Sequence, residues 1–312
     1  MRPTRSRAVV AVLLAGLGAA ACGSGGGTGP ASGATVRVVA TTPVVADFTR
    51  TVGGDRVAVT QIIKPGVDPH DYEPSPADLQ ALTDADLLVE NGVGLEAWLA
   101  DTVSAAGFDG PVVDSSQGIA IRQGGEGSDG QGDPHVWHDP RNAQAMVRTI
   151  TAALVAQDAA GKVSYEANAA AYTAKLAALD RAAEAKIASI PPRLRKLVTD
   201  HDAFGYYCAR YGLTFVGSVI PSFDTSAELS GRQLSDLVRK IRATGVKAVF
   251  AEASLPPRTA ETVAREAGVD VVGGEGSLYA DGLGPPGSPG ATYLGAEQHN
   301  TDTIVRALGG RV

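Results

Sequence analysis

The protein has 312 residues, a formal net charge of −7 and a hydrophobic share of 44%. This length is sufficient for two domains of ordinary size, and the apolar share supports a complete core. The acidic balance argues against a nucleic-acid partner, because phosphates repel negative charge. Aromatic residues make up only 5% of the sequence, which offers bases few stacking surfaces. The negative charge is compatible with a cation as ligand.

The N-terminus carries the features of a secretory leader. Three arginines precede an apolar run over residues 8–21, and this pattern predicts a signal peptide over residues 1–21. The run is too short to span a bilayer permanently. It ends in Ala19-Ala20-Ala21-Cys22-Gly23, which resembles the lipobox of bacterial lipoproteins, where the cysteine is lipidated and becomes the first mature residue.

We therefore predict lipidation at Cys22 and a flexible tether over residues 22–35, which is rich in glycine. The folded part would then lie outside the cytoplasm, anchored to the membrane through lipid, at the cell surface or in the periplasm. The alternative is ordinary cleavage after an Ala-x-Ala motif, with an incidental cysteine. If Cys22 carries lipid, Cys208 has no disulfide partner and is expected to pack as a small buried side chain.

Residues 36–160 are predicted to form a first α/β lobe. Apolar runs predict strands, and hydroxyl or proline residues open the predicted helices between them. The predicted strands are 36–40, 57–63, 86–90 and 111–114, and the predicted helices are 43–53, 75–82, 95–105 and a long one from residue 141. Strands that alternate with helices favour a parallel sheet with helices on both faces.

A linking helix is predicted next, within residues 161–192. Its segment 162–190 is rich in Ala, Glu, Lys and Leu, and Pro191-Pro192 closes it. We interpret it as a rigid connection between two lobes rather than a plain surface helix, because α/β patterning restarts over residues 193–312. That second lobe has predicted strands 196–199, 214–219, 247–251 and 269–272, and helices that end near residue 210 or cover 230–244, 257–267 and 297–308.

The loop over residues 64–76 combines four prolines, a glycine, three acids and His70. Each proline removes a backbone donor and fixes φ, so this segment is neither a helix nor an inner strand. It is predicted to be a stiff polar loop that holds its imidazole in a fixed place. Histidine is scarce, with five in the whole sequence.

Three histidines follow strands or precede helices at comparable points of the two lobes. His70 lies after the second strand, His135 after a glycine-rich loop over residues 122–132, and His201 after the strand that opens the second lobe. Asp281 lies on the loop after the last strand. Ligands of open α/β sheets bind beyond the carboxyl ends of strands, so these side chains are expected to meet in the cleft between the lobes. Three imidazoles and a carboxylate form a donor set that zinc accepts.

Five motifs in chain order resemble the metal-specific solute-binding proteins of ABC importers for zinc and manganese. The resemblance covers nearly everything after the tether. It implies two α/β lobes joined by a long helix, with the metal held between them by His70, His135, His201 and Asp281. The motifs are Asp68-Pro69-His70-Asp71-Tyr72-Glu73-Pro74-Ser75, Asp133-Pro134-His135-Val136-Trp137, His201-Asp202-Ala203-Phe204-Gly205-Tyr206, Phe250-Ala251-Glu252 and Leu278-Tyr279-Ala280-Asp281-Gly282-Leu283-Gly284.

Two further residues are expected to support the site. Glu252, at a strand end, is predicted to accept an imidazole N–H and so fix the tautomer. His138 lies three residues from His135 and could reach the same metal if this turn were helical. We instead predict that His138 lies behind the ligands or at the rim of the site. The acids Asp68, Asp71, Glu73 and Asp133 are predicted to cap turns rather than bind metal.

The donor set favours Zn²⁺, with Mn²⁺ as the alternative. Imidazole suits zinc and carboxylate suits manganese, and the family that the chain resembles has either histidine or glutamate at the position of His201. The resemblance implies a monomeric, non-enzymatic binding protein that delivers its ion to an ABC permease and the ATPase subunits of that permease.

Two other classes of function are compatible with parts of the sequence. A secreted zinc hydrolase would need an open coordination position and a general base such as Glu252 or Glu73, but the sequence contains no His-Glu-x-x-His segment and no nucleophile elbow. A surface adhesin could use the same fold without transport, because fold does not determine function.

Overall fold

The computed structural model of the protein describes residues 35–124, 132–227 and 230–312. The predicted signal peptide, Cys22 and almost all of the predicted tether lie outside these residues, as does most of the glycine-rich loop. Within the described part of the chain, none of the helices combines the length and the apolar character needed to cross a membrane.

The first lobe is built on a parallel sheet of four strands in the order β2-β1-β3-β4. The strands are β1 (Val36–Ala40), β2 (Val57–Gln61), β3 (Leu87–Glu90) and β4 (Val112–Asp114). Three helices lie between these strands in the chain, and a fourth follows the last strand. They are α1 (Pro43–Gly53), α2 (Pro76–Thr83), α3 (Leu99–Ala106) and α4 (Pro140–Gln157).

The second lobe repeats this topology with strands β5 to β8, again all parallel and in the order β6-β5-β7-β8. Its strands are β5 (Lys196–His201), β6 (Thr214–Ile220), β7 (Ala248–Phe250) and β8 (Asp270–Val272). A long helix α5 (Lys162–Ala188) precedes it, and its other helices are α6 (Gly205–Tyr211), α7 (Gly231–Thr244), α8 (Arg258–Ala267) and α9 (Tyr293–Ala307). The predicted fold, two parallel-sheet lobes joined by one long helix, is confirmed.

Helix α3 begins four residues later than predicted, at Leu99 rather than Leu95. The intervening segment folds as a turn around the buried carboxylate of Glu96, which accepts the backbone N–H groups of Asn91 and Gly92 and the hydroxyl of Thr41. Three residues in a row, 92–94, have positive φ there. The apolar spacing of residues 95–105 is helical, but residues 95–98 belong to this turn, in which the N–H of Leu95 donates to the carbonyl of Gly92.

Helix α9 begins earlier than predicted, at Tyr293 rather than at Glu297. Thr292 accepts the N–H of Gly295 as a cap, and the N–H of Tyr293 donates to the carboxylate of Asp47 in α1. Burial raises the pKa of Asp47 above its ordinary value. The start of α9 is therefore set by the local cap Thr292 together with a contact to the first lobe, and local sequence does not reveal that contact.

The two lobes share part of their hydrophobic core. Tyr293 of α9 lies edge-on to Phe48 of α1 at 4.9 Å between ring centroids, and its hydroxyl donates to the carbonyl of Trp137 at 2.6 Å. Tyr206 and Leu283 also belong to the cluster that contains the first sheet. Helices α5 and α9 pack together. A large hinge opening would expose this shared core to water.

We expect replacement of the α9 cap, Thr292→Ala, to lower the free energy of unfolding by about 1 kcal/mol, because the N–H of Gly295 loses its acceptor. Urea denaturation monitored by circular dichroism measures this change. The matched control is Thr262→Ala in the middle of α8, where the threonine is partly exposed and caps no helix. It should be neutral or slightly stabilising, since alanine is the better helix former. Equal losses in both variants would contradict the capping role.

Candidate metal centre

Loops at the carboxyl ends of strands bring four predicted side chains together. His70 lies on the loop after β2, His135 on the segment before α4, His201 at the end of β5, and Asp281 on the loop after β8. One nitrogen or oxygen from each of them lies within 4.8 Å of the others. The structure therefore gathers the four residues from both lobes into one cluster.

The distances within the cluster are those of groups around a shared ion. The Oδ1 atom of Asp281 lies 3.2 Å from Nε2 of His135, 3.2 Å from Nε2 of His201 and 3.8 Å from Nε2 of His70. Two donors about 2.1 Å from a tetrahedral ion are about 3.4 Å apart. The cluster is thus close to the size that a zinc ion requires.

Polar atoms of the cluster lack the hydrogen bonds that burial normally demands. Among the described residues, Nε2 of His70 and both carboxylate oxygens of Asp281 are buried without a hydrogen-bond partner. Buried polar atoms without partners are rare because leaving them unsatisfied costs about 1–3 kcal/mol. A bound cation would satisfy all three atoms at once.

Carboxylates behind the imidazoles turn the Nε2 atoms toward the centre. Asp133 lies 2.9 Å from Nδ1 of His135, and Glu252 lies 2.6 Å from Nδ1 of His201. Each carboxylate also accepts the backbone N–H of the same histidine at 3.0 Å. A carboxylate accepts from Nδ1–H, so the Nε2 lone pair is left free for a metal.

The proline-rich loop positions His70 through its own backbone. Asp68 accepts the N–H of His70 at 3.0 Å, and the indole of Trp98 donates to the carbonyl of Pro69 at 3.3 Å. The side chain of His70 is 6% exposed, whereas those of His135, His201 and Asp281 are 0% exposed. His70 is therefore the outermost member of the cluster.

Attraction between the imidazoles and the carboxylates shifts the pKa values of the cluster in opposite directions. Burial alone would lower the pKa of His135, but Asp133 and Asp281 raise it above its ordinary value of 6.5. Burial also opposes charging of His201, but attraction by Asp281 and Glu252 raises its pKa well above 6.5. Burial alone would raise the pKa of Asp281, but the imidazoles hold it well below 3.8. Protons and a metal cation therefore compete for one site.

His138 lies outside the four-residue cluster and is fully buried. Its Nδ1 lies 2.8 Å from a carboxylate oxygen of Glu297, and its Nε2 lies 2.9 Å from the carbonyl oxygen of Ala280. The ring stacks on Phe204 at 4.4 Å. His138 thus contacts the residue that precedes Asp281 and is engaged at both ring nitrogens.

One supporting role was not predicted from the sequence. Asp133 was expected only to cap a turn, yet it also orients the ring of His135. The signal was present, because Asp-Pro-His occurs twice, at 68–70 and at 133–135. In both copies the aspartate accepts the N–H of the histidine two residues later. The amide of Asn91 further fixes the second copy by donating to the carbonyl of Pro134.

Fold and site define a two-lobed binding protein whose ligand site lies between the lobes and is suited to a metal ion. Residues 38–307 match the family model described as ZnuA, zinc-uptake complex component A, periplasmic. The chain belongs to this family, which confirms the resemblance drawn from the five motifs.

Individual relatives match over nearly the whole chain. The metal ABC transporter substrate-binding lipoprotein FimA of Streptococcus parasanguinis is 33% identical over 312 residues, which cover 96% of this chain and 97% of that one. The manganese-binding lipoprotein MntA of Halalkalibacterium halodurans is 34% identical over 300 residues, 96% of each chain.

A solved structure has a similar fold. The periplasmic zinc binding protein TroA from Treponema pallidum matches with a TM-score of 0.82 at 30% identity, over 89% of this chain and 100% of that one. The names of these proteins refer to different metals.

Proposed function

We propose that this protein is the extracytoplasmic metal-binding component of an ABC importer. It binds one divalent cation, Zn²⁺, through His70, His135, His201 and Asp281 and delivers the ion to a membrane permease. The observation that carries this proposal is the convergence of four donors from two lobes, with three of their polar atoms buried and unpaired. Membership of a family described as a zinc-uptake component supports it.

The donor set favours binding over catalysis. Four protein donors fill the coordination sphere of a tetrahedral zinc ion, whereas a hydrolytic zinc keeps one position for water. The carboxylates of Asp133 and Glu252 are engaged by the Nδ1 atoms of the histidines. Glu252 is thus occupied in orienting His201 rather than serving as a general base.

Manganese is the second candidate cargo, and one observation favours it. Both oxygens of Asp281 are buried and unpaired, so the carboxylate could bind an ion through two oxygens and raise the coordination number above four. Carboxylate oxygen suits Mn²⁺, and the relative MntA is named for manganese. Three imidazoles still favour zinc, because zinc lies above manganese in the general order of affinity for nitrogen donors.

The predicted leader completes the proposal. Cleavage before Cys22 and lipidation of its thiol would anchor the protein outside the cytoplasm, close to its permease. The names of the lipoprotein relatives support this location. Mass spectrometry of the protein from its native membrane, which would detect a diacylglycerol-modified Cys22 at the N-terminus, tests it.

The central experiment is metal titration of the purified folded part after removal of bound metal. We expect about one zinc per chain, and His201→Ala should lower zinc affinity at least about tenfold, because one of four donors is lost. The matched control is His299→Ala, which removes an imidazole that bonds the carbonyl of Ser277 outside the cluster. Unchanged zinc affinity in His201→Ala would contradict the assignment of ligands.

A competition experiment separates the two candidate metals. The metal-free protein is titrated with Mn²⁺ in the presence of a zinc chelator, then with Zn²⁺ in the presence of excess Mn²⁺. Displacement of manganese by equimolar zinc supports zinc as cargo. Retention of manganese against zinc would support the second candidate instead.

A further inference from the structure

A short segment of the second lobe, residues 221–226, covers the metal centre. We refer to it as the cover segment. The ring of its Phe223 is 5% exposed and lies 6.2 Å, between centroids, from the ring of His135. At its base, the carbonyl of Ser222 accepts the N–H of Asp202, directly after His201. The cover segment thus lies against His135 and is bonded to the residue that follows His201.

The cover segment is also hydrogen-bonded to the first lobe through the side chain of Thr225. The hydroxyl of Thr225 donates to the Oδ2 atom of Asp68 at 2.6 Å. The other oxygen of the same carboxylate, Oδ1, accepts the backbone N–H of His70 at 3.0 Å. Asp68 therefore links the cover segment directly to the outermost member of the cluster.

An open space beside the cover segment would accommodate its displacement. An open space of about 430 Å³ lies beside it, lined by Ser222 and Phe223 on one side and by β6 and α7 on the others. The proline-rich loop, which carries Asp68, contacts the cover segment through Thr225. Because the lobes share a core through α5 and α9, an ion can leave with less disruption by displacement of this segment than by opening of the whole cleft.

We propose that Thr225 is a positioning residue that holds the cover segment against Asp68 and thereby limits the rate at which the metal leaves. This inference rests on the proposed function. While the bond is intact, Asp68 is fixed at both oxygens and His70 is held in place. When the bond breaks, the cover segment can move toward the open space, and the His70 loop loses one of its restraints.

The variant that tests this is Thr225→Val, which replaces the hydroxyl by a methyl group of similar size. Stopped-flow release of zinc to a chelator should be at least about tenfold faster, because a hydrogen bond to a charged acceptor is lost. The stoichiometry of about one zinc per chain should be unchanged. Thr225→Ser keeps a hydroxyl and should release zinc at nearly the parent rate.

Control variants distinguish a specific effect of the Thr225–Asp68 bond from general destabilisation of the fold. Thr262→Val removes a hydroxyl that bonds the carbonyl of Arg258 within α8, outside the cluster and the cover segment, and should leave zinc release unchanged. In an Asp68→Ala background, Thr225→Val should add little, since the two residues act through one bond. Release by Thr225→Val within twofold of the parent rate would overturn the proposal.

A second readout does not depend on metal. In the metal-free protein, amide hydrogen exchange at His70, whose N–H is held by Asp68, should be faster in Thr225→Val and unchanged in Thr225→Ser. Equal exchange rates of the His70 amide in the parent and in Thr225→Val would overturn the proposed role of Thr225. If the parent binds no zinc, the proposed function fails, while hydrogen exchange still decides whether Thr225 restrains the His70 loop.

Discussion

Replacement of Asp281 by asparagine is expected to lower zinc affinity by at least about a hundredfold. In the proposed site Asp281 is the charged donor, and its Oδ1 lies within 3.8 Å of all three Nε2 atoms. Loss of a residue behind the ligands alone typically costs 10–100-fold in affinity, so loss of the carboxylate that faces the ion should cost more. Isothermal titration with zinc, in competition with a chelator, measures this difference.

The Asp281→Asn substitution changes the charge of the side chain with little change in its size, so a loss of affinity reports on the carboxylate. Asparagine has nearly the size of aspartate, so the metal-free protein should remain folded, with the far-ultraviolet circular dichroism of the parent. The matched control is Asp109→Asn, which removes an exposed carboxylate on a surface loop and should leave zinc affinity unchanged. An Asp281→Asn protein with parental zinc affinity would refute the role of Asp281 as a ligand.

Acidification is expected to weaken zinc binding steeply between pH 8 and pH 6. The pKa values of His135 and His201 are both raised above 6.5, because Asp133, Asp281 and Glu252 favour the protonated rings against the opposing effect of burial. Zinc binds only the neutral imidazole, so each ion must displace these protons. When both rings are protonated, the affinity should fall by about two orders of magnitude for each unit of pH.

The sign of the stability effect follows from the same pKa shifts. A raised histidine pKa stabilises the metal-free fold at low pH, and this contribution is lost as the pH rises through the folded-state pKa. Asp281, whose pKa lies well below 3.8, stays ionised throughout this range. The rise in melting temperature on addition of zinc should therefore be largest near pH 8 and smallest near pH 6.

Differential scanning calorimetry with and without zinc at several pH values measures this dependence. The control is Asp281→Asn, in which a cause of both raised histidine pKa values is removed. Its residual zinc affinity should depend less steeply on pH than that of the parent. A parental affinity that is constant from pH 8 to pH 6 would show that His135 and His201 are not the groups that release protons on binding.

Strand positions were predictable because each strand is a short apolar run between turn residues. β1 matches its predicted bounds, and the other strands differ by a few residues at their ends. Helix starts were predictable where a local cap marks them, as at Thr42 and Pro43 in α1. The starts of α3 and α9 were placed wrongly, because the bonds from Thr41 to Glu96 and from Tyr293 to Asp47 join residues far apart in the sequence.

Membership of the site could be predicted, because strand ends of a parallel α/β sheet meet at one edge and because five motifs carry a family resemblance. In the second Asp-Pro-His copy, Asp133 orients the ring of His135 and lies only two residues before it, so this contact is also visible in the local sequence. By contrast, the partner of His138 is Glu297, 159 residues away. A hydrogen bond between such distant residues leaves no local pattern.

The sequence by itself determined the α/β class, the two lobes with their connecting helix, and the four residues that meet between them. These properties depend on apolar periodicity, on turn chemistry and on motifs that are contiguous in the chain. Only the tertiary structure decided that the lobes share a core through α9, that both oxygens of Asp281 are left unpaired, and that the hydroxyl of Thr225 donates to Asp68. Each of these depends on packing between segments far apart in sequence, where distance and burial rather than residue type determine which groups meet.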